Sequence, residues 1–103
     1  NKILSHPAST DSIPGNVGVE DHVSMGMTAA RKFKKIVENV AVGLAAEAIA
    51  AAQAIDARGI TRLGKGTKAL YEAIRSVVPP LKGDRIVSED VKKATEVIKQ
   101  FER

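Results

Sequence analysis

Val40-Ala-Val-Gly-Leu-Ala-Ala-Glu-Ala-Ile-Ala-Ala-Ala-Gln-Ala-Ile55 decides the fold. Its apolar positions continue a spacing that begins upstream. Phe33, Val37, Val40, Leu44, Ala48, Ala51 and Ile55 are separated by 4, 3, 4, 4, 3 and 4 residues. That is the stripe of a nearly straight packed α-helix, close to an 11-residue repeat. From Val40 to Ala52 the remaining faces are apolar as well, mostly alanine. A helix that is apolar all round has to be surrounded by other helices.

Outward from this stretch, no proline interrupts Glu20 to Ala57, and Gly26 and Gly43 are the only poor helix formers of that kind. Glu20 and Asp21 suit a first turn, where the helix dipole favours acids. Gly59 suits a C-terminal stop. The pattern predicts one helix over about 20–57. At 1.5 Å per residue such a helix is about 57 Å long. A compact domain of this size has a radius of gyration near 13 Å and is roughly 35 Å across. Residues 58–103 cannot cover so long a helix, which asks for partner helices from elsewhere.

The flanks are simpler. Residues 1–19 carry Pro7, Pro14, Gly15 and Gly18 among Ser, Thr, Asn and Asp, without an apolar period, and read as irregular. After a loop at 58–66, Ala69, Leu70, Ala73, Ile74 and Val77 define a helix over about 67–78, ended by Pro79-Pro80. Val91, Ala94, Val97, Ile98 and Phe101 define another over about 88–101, with Ser88 as N-cap and Glu89 and Asp90 in its first turn. There is no strand alternation and no internal repeat. The class is all-α: an irregular segment at 1–19 and a helical segment at 20–103.

Composition sharpens the need for partners. Of 103 residues, 44% are hydrophobic but only 3% aromatic. Alanine removes little area from water, and at about 25 cal/mol per Å² an alanine interior stabilises a lone domain poorly. The formal net charge of +4 does not by itself point to nucleic acid. With no cysteine, disulfides, thiolate metal sites and thiol nucleophiles are excluded, which fits a reducing cytoplasm. The N-terminal residues lack a signal peptide's apolar run. The 16-residue stretch Val40–Ile55 contains Glu47 and Gln53 and falls short of the about 18–20 clean residues of a membrane span. The expectation is a soluble cytoplasmic protein without nucleic-acid or membrane partners.

Four groups could carry chemistry. Gly59-Ile-Thr-Arg-Leu-Gly64-Lys65-Gly66 nearly matches a phosphate-binding loop, but Gly66 stands where a hydroxyl must bind Mg²⁺, and a helix precedes it rather than a strand. Arg31, Lys32, Lys34 and Lys35 could contact phosphates, or form a solvated face with Lys34 and Lys35 paired to Glu38. His6 and His22 lack further ligands at metal-binding spacing, so no metal site is expected. Glu20-Asp21-His22 could hold a general base, or simply cap the helix dipole.

His6-Pro-Ala-Ser-Thr-Asp-Ser-Ile-Pro14 followed by Glu20-Asp-His-Val-Ser-Met25 resembles the histidine ammonia-lyase family. So do Val37-Glu-Asn39, the run Ala45-Ala-Glu-Ala-Ile-Ala-Ala-Ala-Gln-Ala-Ile-Asp56, and Asp84-Arg85 with Ser88-Glu-Asp90. The resemblance spans the whole chain but only the C-terminal fifth or so of such an enzyme, so the chain reads as a fragment or one part of a split enzyme. It implies elimination of ammonia from an amino acid, histidine to urocanate, by a homotetramer whose sites draw on several subunits. Partners are then the remainder of the lyase chain, neighbouring subunits and a small amino-acid substrate.

The resemblance also implies a methylidene-imidazolone electrophile, formed from an Ala-Ser-Gly tripeptide in the N-terminal portion. Here Ala8-Ser9 is followed by Thr10, and no Ala-Ser-Gly occurs, so this chain alone is expected to lack cofactor and activity. Glu20 matches the family glutamate that faces the substrate imidazole; relatives acting on phenylalanine or tyrosine usually carry an amide there. Val19 stands where glutamine is common, and Gly15-Asn16-Val17-Gly18 departs from the usual loop, which leaves an aromatic amino acid lyase or an aminomutase of the same family open. A stand-alone helical interaction module using the basic cluster is the rival from another class.

Overall fold

The computed structural model describes residues 1–101. Two 3₁₀ turns, Ala8–Asp11 and Asn16–Gly18, precede three α-helices: α1 (Gly26–Arg58), α2 (Lys65–Val77) and α3 (Val87–Gln100). Among the described residues there is no strand, only an isolated antiparallel bridge between Pro14 and His22. The all-α expectation holds. The chain forms two compact units, Asn1–Asn39 and a second beginning at Val40.

In the first unit, side chains of α1 hold the N-terminal segment. Asn39 Nδ2 donates to Asn1 Oδ1 at 3.0 Å, and Lys32 Nζ donates to the His6 carbonyl. Ala8 is buried. The helix starts at Gly26, six residues later than the sequence pattern predicts. The reason lies in the preceding residues, whose polar backbone groups are already used. Val23 N–H donates to Ile13 O at 3.1 Å and Glu20 N–H to Gly15 O at 3.4 Å. Glu20 and Asp21 therefore do not lie in a first helical turn, which contains no acid.

In the second unit, α1, α2 and α3 share a small core of Ala45, Ala52, Ile74, Val78 and Ala94, flanked by half-buried Ala48, Ile49, Leu70, Tyr71, Val77, Val97 and Ile98. On α1 the core members are alanines, and among the described residues only Ile74 and Val78 are large side chains withdrawn fully from water. Each such side chain contributes about 1.5–3 kcal/mol. The face that α1 buries is Ala41, Ala45 and Ala52, not the stripe of larger residues. Phe33, Val37, Val40 and Leu44 remain 65%, 51%, 45% and 47% exposed. The chain's own core takes the alanine face of α1 and leaves these four larger residues half-exposed or more.

The shorter helices begin slightly early. α2 starts at Lys65 with Gly64 as N-cap, and Val78 closes it by donating its N–H to Ile74 O at 2.9 Å. α3 is capped by Ile86 instead of Ser88, which falls inside its first turn. Arg85 accounts for this. Its Nε donates to Asp90 Oδ2 and its Nη2 to Pro79 O, both at 2.6 Å, and its Nη1 to Pro80 O at 3.2 Å. That fork fixes the incoming chain directly before Ile86. Phe101 caps the end of α3 rather than lying within it.

Long and alanine-rich, α1 also meets the length and composition of a membrane span, with an 18-residue window of mean hydropathy 1.5. Mean hydropathy tolerates an isolated charge such as Glu47, which a count of uncharged residues does not, and the core helix of a soluble protein reaches the same value.

Candidate functional site

The candidate carboxylate, Glu20, sits on a closed loop in the first unit. Residues 13–23 form a short hairpin-like element: Pro14 bridges His22, Gly15 N–H donates to Asp21 O at 3.3 Å, and Ser12 Oγ donates to Val23 O at 2.5 Å. Within it, Gly18 N–H donates to Gly15 O at 3.0 Å and Val19 N–H to Asn16 O at 3.1 Å. Asn16, Val17 and Gly18 take φ of 43°, 54° and 87° in succession. For a β-branched residue such as Val17 the left-handed conformation costs roughly 1–2 kcal/mol. These bonds hold it there. Val17, Val19 and Glu20 are all exposed. The loop thus presents two adjacent carboxylates, Glu20 and Asp21, with aliphatic side chains near them in sequence, on a hydrogen-bonded backbone.

The other sequence candidates take structural roles. Thr10 Oγ1 donates to Pro7 O at 2.8 Å and lies within hydrogen-bond distance, 3.0 Å, of His6 Nε2. His22 contributes its backbone to the bridge. Among the described residues no group of three potential ligands could hold a metal. In the basic cluster, Lys35 pairs with Glu38 at 3.4 Å and Lys32 is bonded to His6. The near-match to a phosphate loop joins two helices. Gly59 (φ 62°) closes α1, with Gly59 N–H on Asp56 O at 3.1 Å and Ile60 N–H on Ile55 O at 3.2 Å. This is a helix C-terminal motif.

Sequence reasoning missed a polar cluster in the second unit. Asp56 accepts from Arg75 Nη2 at 2.6 Å and from the Tyr71 hydroxyl; Arg75 Nη1 donates to Val78 O at 3.0 Å. Gln53 Oε1 accepts the Leu81 N–H at 2.9 Å. The Arg75 guanidinium lies 5.8 Å from the Tyr71 ring centre, and its Nε is buried without a partner. The hydrogen bond to Asp56 raises the Tyr71 pKa, helped by burial and by the Asp56 charge and opposed by Arg75. The available signal was spacing. Gln53 and Asp56 (i, i+3) and Tyr71 and Arg75 (i, i+4) place paired polar groups along otherwise apolar helix faces.

Beside this cluster lies a pocket of about 250 Å³, with apolar walls that include Ile49, Leu81 and Val91 and with Gln53, Arg75, Arg85 and Asp90 at its polar positions. Both arginines already face carboxylates, Asp56 and Asp90.

A helical segment preceded by a hydrogen-bonded loop that exposes Glu20 and Asp21 is what the residues themselves define. Residues 1–76 match the aromatic amino acid lyase family, and the chain belongs to it. It is 50% identical to the histidine ammonia-lyase of Symbiobacterium thermophilum over 98 residues, which are 95% of this chain and 19% of that protein. The histidine ammonia-lyase of Trypanosoma cruzi superposes with a TM-score of 0.85 at 40% identity, over 95% of this chain and 19% of that one. The tyrosine aminomutase of Streptomyces globisporus superposes with a TM-score of 0.84, also at 40% identity, over 91% and 18%. The chain spans about a fifth of the length of the curated relatives it matches.

Proposed function

We propose that this chain is the C-terminal part of a histidine ammonia-lyase, which eliminates ammonia from L-histidine to give urocanate. The observation that carries this reading is Glu20, an exposed carboxylate on a backbone fixed by the Pro14–His22 bridge, in a chain 50% identical to histidine ammonia-lyases. The likeness of the fold to a tyrosine aminomutase as well as to a histidine ammonia-lyase leaves the choice of substrate to the side chains. A carboxylate pairs with an imidazolium or accepts the N–H of a neutral imidazole, and a charge-assisted hydrogen bond is both short and directional. Beside a phenyl ring the same group would be an unpaired charge, costly once water is excluded. Glu20 thus binds and orients the substrate ring and is placed to help move a proton at the imidazole nitrogen. Residues 1–19 contribute to the wall of that site.

The electrophile implied by the family does not fit any tripeptide of this chain. Ala8-Ser9-Thr10 lies in the 3₁₀ turn, with Thr10 N–H donated to Pro7 O at 3.4 Å. A Thr side chain also stands where cyclisation needs glycine. Catalysis therefore draws the electrophile from the rest of the lyase chain, and this segment alone is inactive. The exposed stripe on α1 supports a multi-subunit assembly, read as a homotetramer, and the lack of cysteine supports a cytoplasmic setting.

In the complete enzyme, Glu20→Gln is expected to reduce kcat/KM for histidine by about 10²-fold, the scale of a lost charge-assisted contact. Activity on tyrosine or phenylalanine should change far less. Equal losses on all three substrates would remove the imidazole assignment.

A further inference from the structure

Gly15 has no conformational need to be glycine. Its backbone lies at φ −76°, ψ 161°, which is open to any residue. Space explains it instead. A Cβ on Gly15 would lie 3.0 Å from Glu20 Oε2, 3.4 Å from Glu20 Cβ and 3.7 Å from Asp21 O. The Glu20 side chain is therefore folded back across the bare Cα of Gly15. The main chain binds the same two segments together: Gly15 O accepts the Glu20 N–H at 3.4 Å, and Gly15 N–H donates to Asp21 O at 3.3 Å.

We infer that Gly15 is a positioning residue for Glu20: its missing Cβ sets where the carboxylate rests, and so where it meets the substrate imidazole. This rests on the role proposed for Glu20 above. A methyl group at 3.0 Å from a carboxylate oxygen has to be relieved by a few tenths of an ångström. The oxygen is the free end of an exposed, flexible side chain, so it is the part that yields, and the hydrogen bonds of the loop persist. Stability is then nearly unchanged while the recognising atoms move. A recognising group has to be held to within about 0.5 Å of its productive position. A misplacement of 1 Å can cost about 10²-fold, so a shift of a few tenths should cost about 3- to 10-fold.

The test is a double-mutant cycle in the complete chain that carries this segment, with Gly15→Ala, Glu20→Gln and the pair. Gly15→Ala is expected to raise KM for histidine about 3- to 10-fold, as estimated above from the positional tolerance. Its melting temperature should match the parent's. In the Glu20→Gln background, Gly15→Ala should leave KM where it was, because the charge it positions is gone. An equal rise in both backgrounds shows action through the loop at large and overturns the inference. So does an unchanged KM for Gly15→Ala when Glu20→Gln alone is selective for histidine. If Glu20→Gln depresses histidine, tyrosine and phenylalanine turnover alike, the reading of Glu20 itself fails, and the inference falls with it.

Discussion

Arg75 Nη2 lies 2.6 Å from Asp56 Oδ2, and the two side chains are only 11% and 22% exposed. This pair ties the last turns of α1 to α2 inside a core whose other members are mostly alanine. Desolvation offsets much of its attraction, so the pair contributes little beyond an apolar match of the same shape. Breaking it is different. Asp56→Ala leaves the Arg75 cation with only the neutral oxygens of Val78 and Gln53 and should destabilise the fold by about 2–4 kcal/mol. The double replacement Asp56→Leu with Arg75→Met should recover most of that loss, falling short of the parent by about the worth of the Tyr71 hydroxyl bond to Asp56. Urea unfolding of the three proteins measures both differences.

Tyr71 donates its hydroxyl to the same carboxylate, and that bond holds its pKa above the ordinary value near 10. A group whose pKa is raised on folding contributes its stability fully below the unfolded-state pKa and loses it as pH rises through the folded-state pKa. Stability should therefore be flat with respect to this group at neutral pH and decline above about pH 10. The difference in phenolate absorbance between the parent and Tyr71→Phe isolates this single residue. Its midpoint is expected above 10, and Asp56→Asn should bring it down.

The Arg85 fork reaches Asp90, Pro79 and Pro80 at once. An ammonium cannot reproduce that planar geometry. Arg85→Lys should cost about 1–2 kcal/mol, because at least one carbonyl of the Pro79-Pro80 bend loses its donor. Asp90→Asn should cost a similar amount, since Asp90 is 6% exposed and Arg85 would keep its charge without the counter-charge. Thermal unfolding that is indifferent to both changes would remove Arg85 as the element that sets where α3 begins.

The elements were legible because local signals agreed: the 3.6-residue period in Ile74 and its neighbours, Pro79-Pro80 after α2, and Gly59 after α1. The start of α1 was not. Nothing in Glu20-Asp-His-Val-Ser-Met25 opposes a helix locally, and the competing bonds to Ile13 and Gly15 come from residues up to ten positions away. The packing face of α1 was illegible for another reason. A helix apolar on every side carries little phase information, so large residues at a regular spacing looked like the buried face while Ala41, Ala45 and Ala52 took that place. Glu20 stood out through the run that follows it, not through spacing, which fits a helix-capping acid equally well. The Asp56–Tyr71–Arg75 cluster went unseen because each residue alone reads as an ordinary surface polar group.

The stripe left open on α1 yields the prediction that separates the lyase reading from a stand-alone module. Val40 and Leu44 lie in the same unit as the alanine core and remain 45% and 47% exposed. Within this chain alone, Leu44 is half-exposed and lines an open groove with Leu70, Ile98 and Phe101, so Leu44→Glu keeps its charge in water and should cost about 1 kcal/mol. In a complete enzyme whose other helices cover the stripe, the same substitution buries an unpaired charge and should cost about 3 kcal/mol or more, with loss of assembly. Sedimentation velocity and thermal unfolding of both proteins, each with and without Leu44→Glu, read this contrast. The isolated chain is further expected to self-associate at micromolar concentration, with Leu44→Glu suppressing it, since the half-exposed aliphatic side chains of Val40, Val42 and Leu44 offer an association surface. A complete enzyme that tolerates Leu44→Glu with its assembly intact would mean that the stripe faces solvent there too, and would favour the independent helical module.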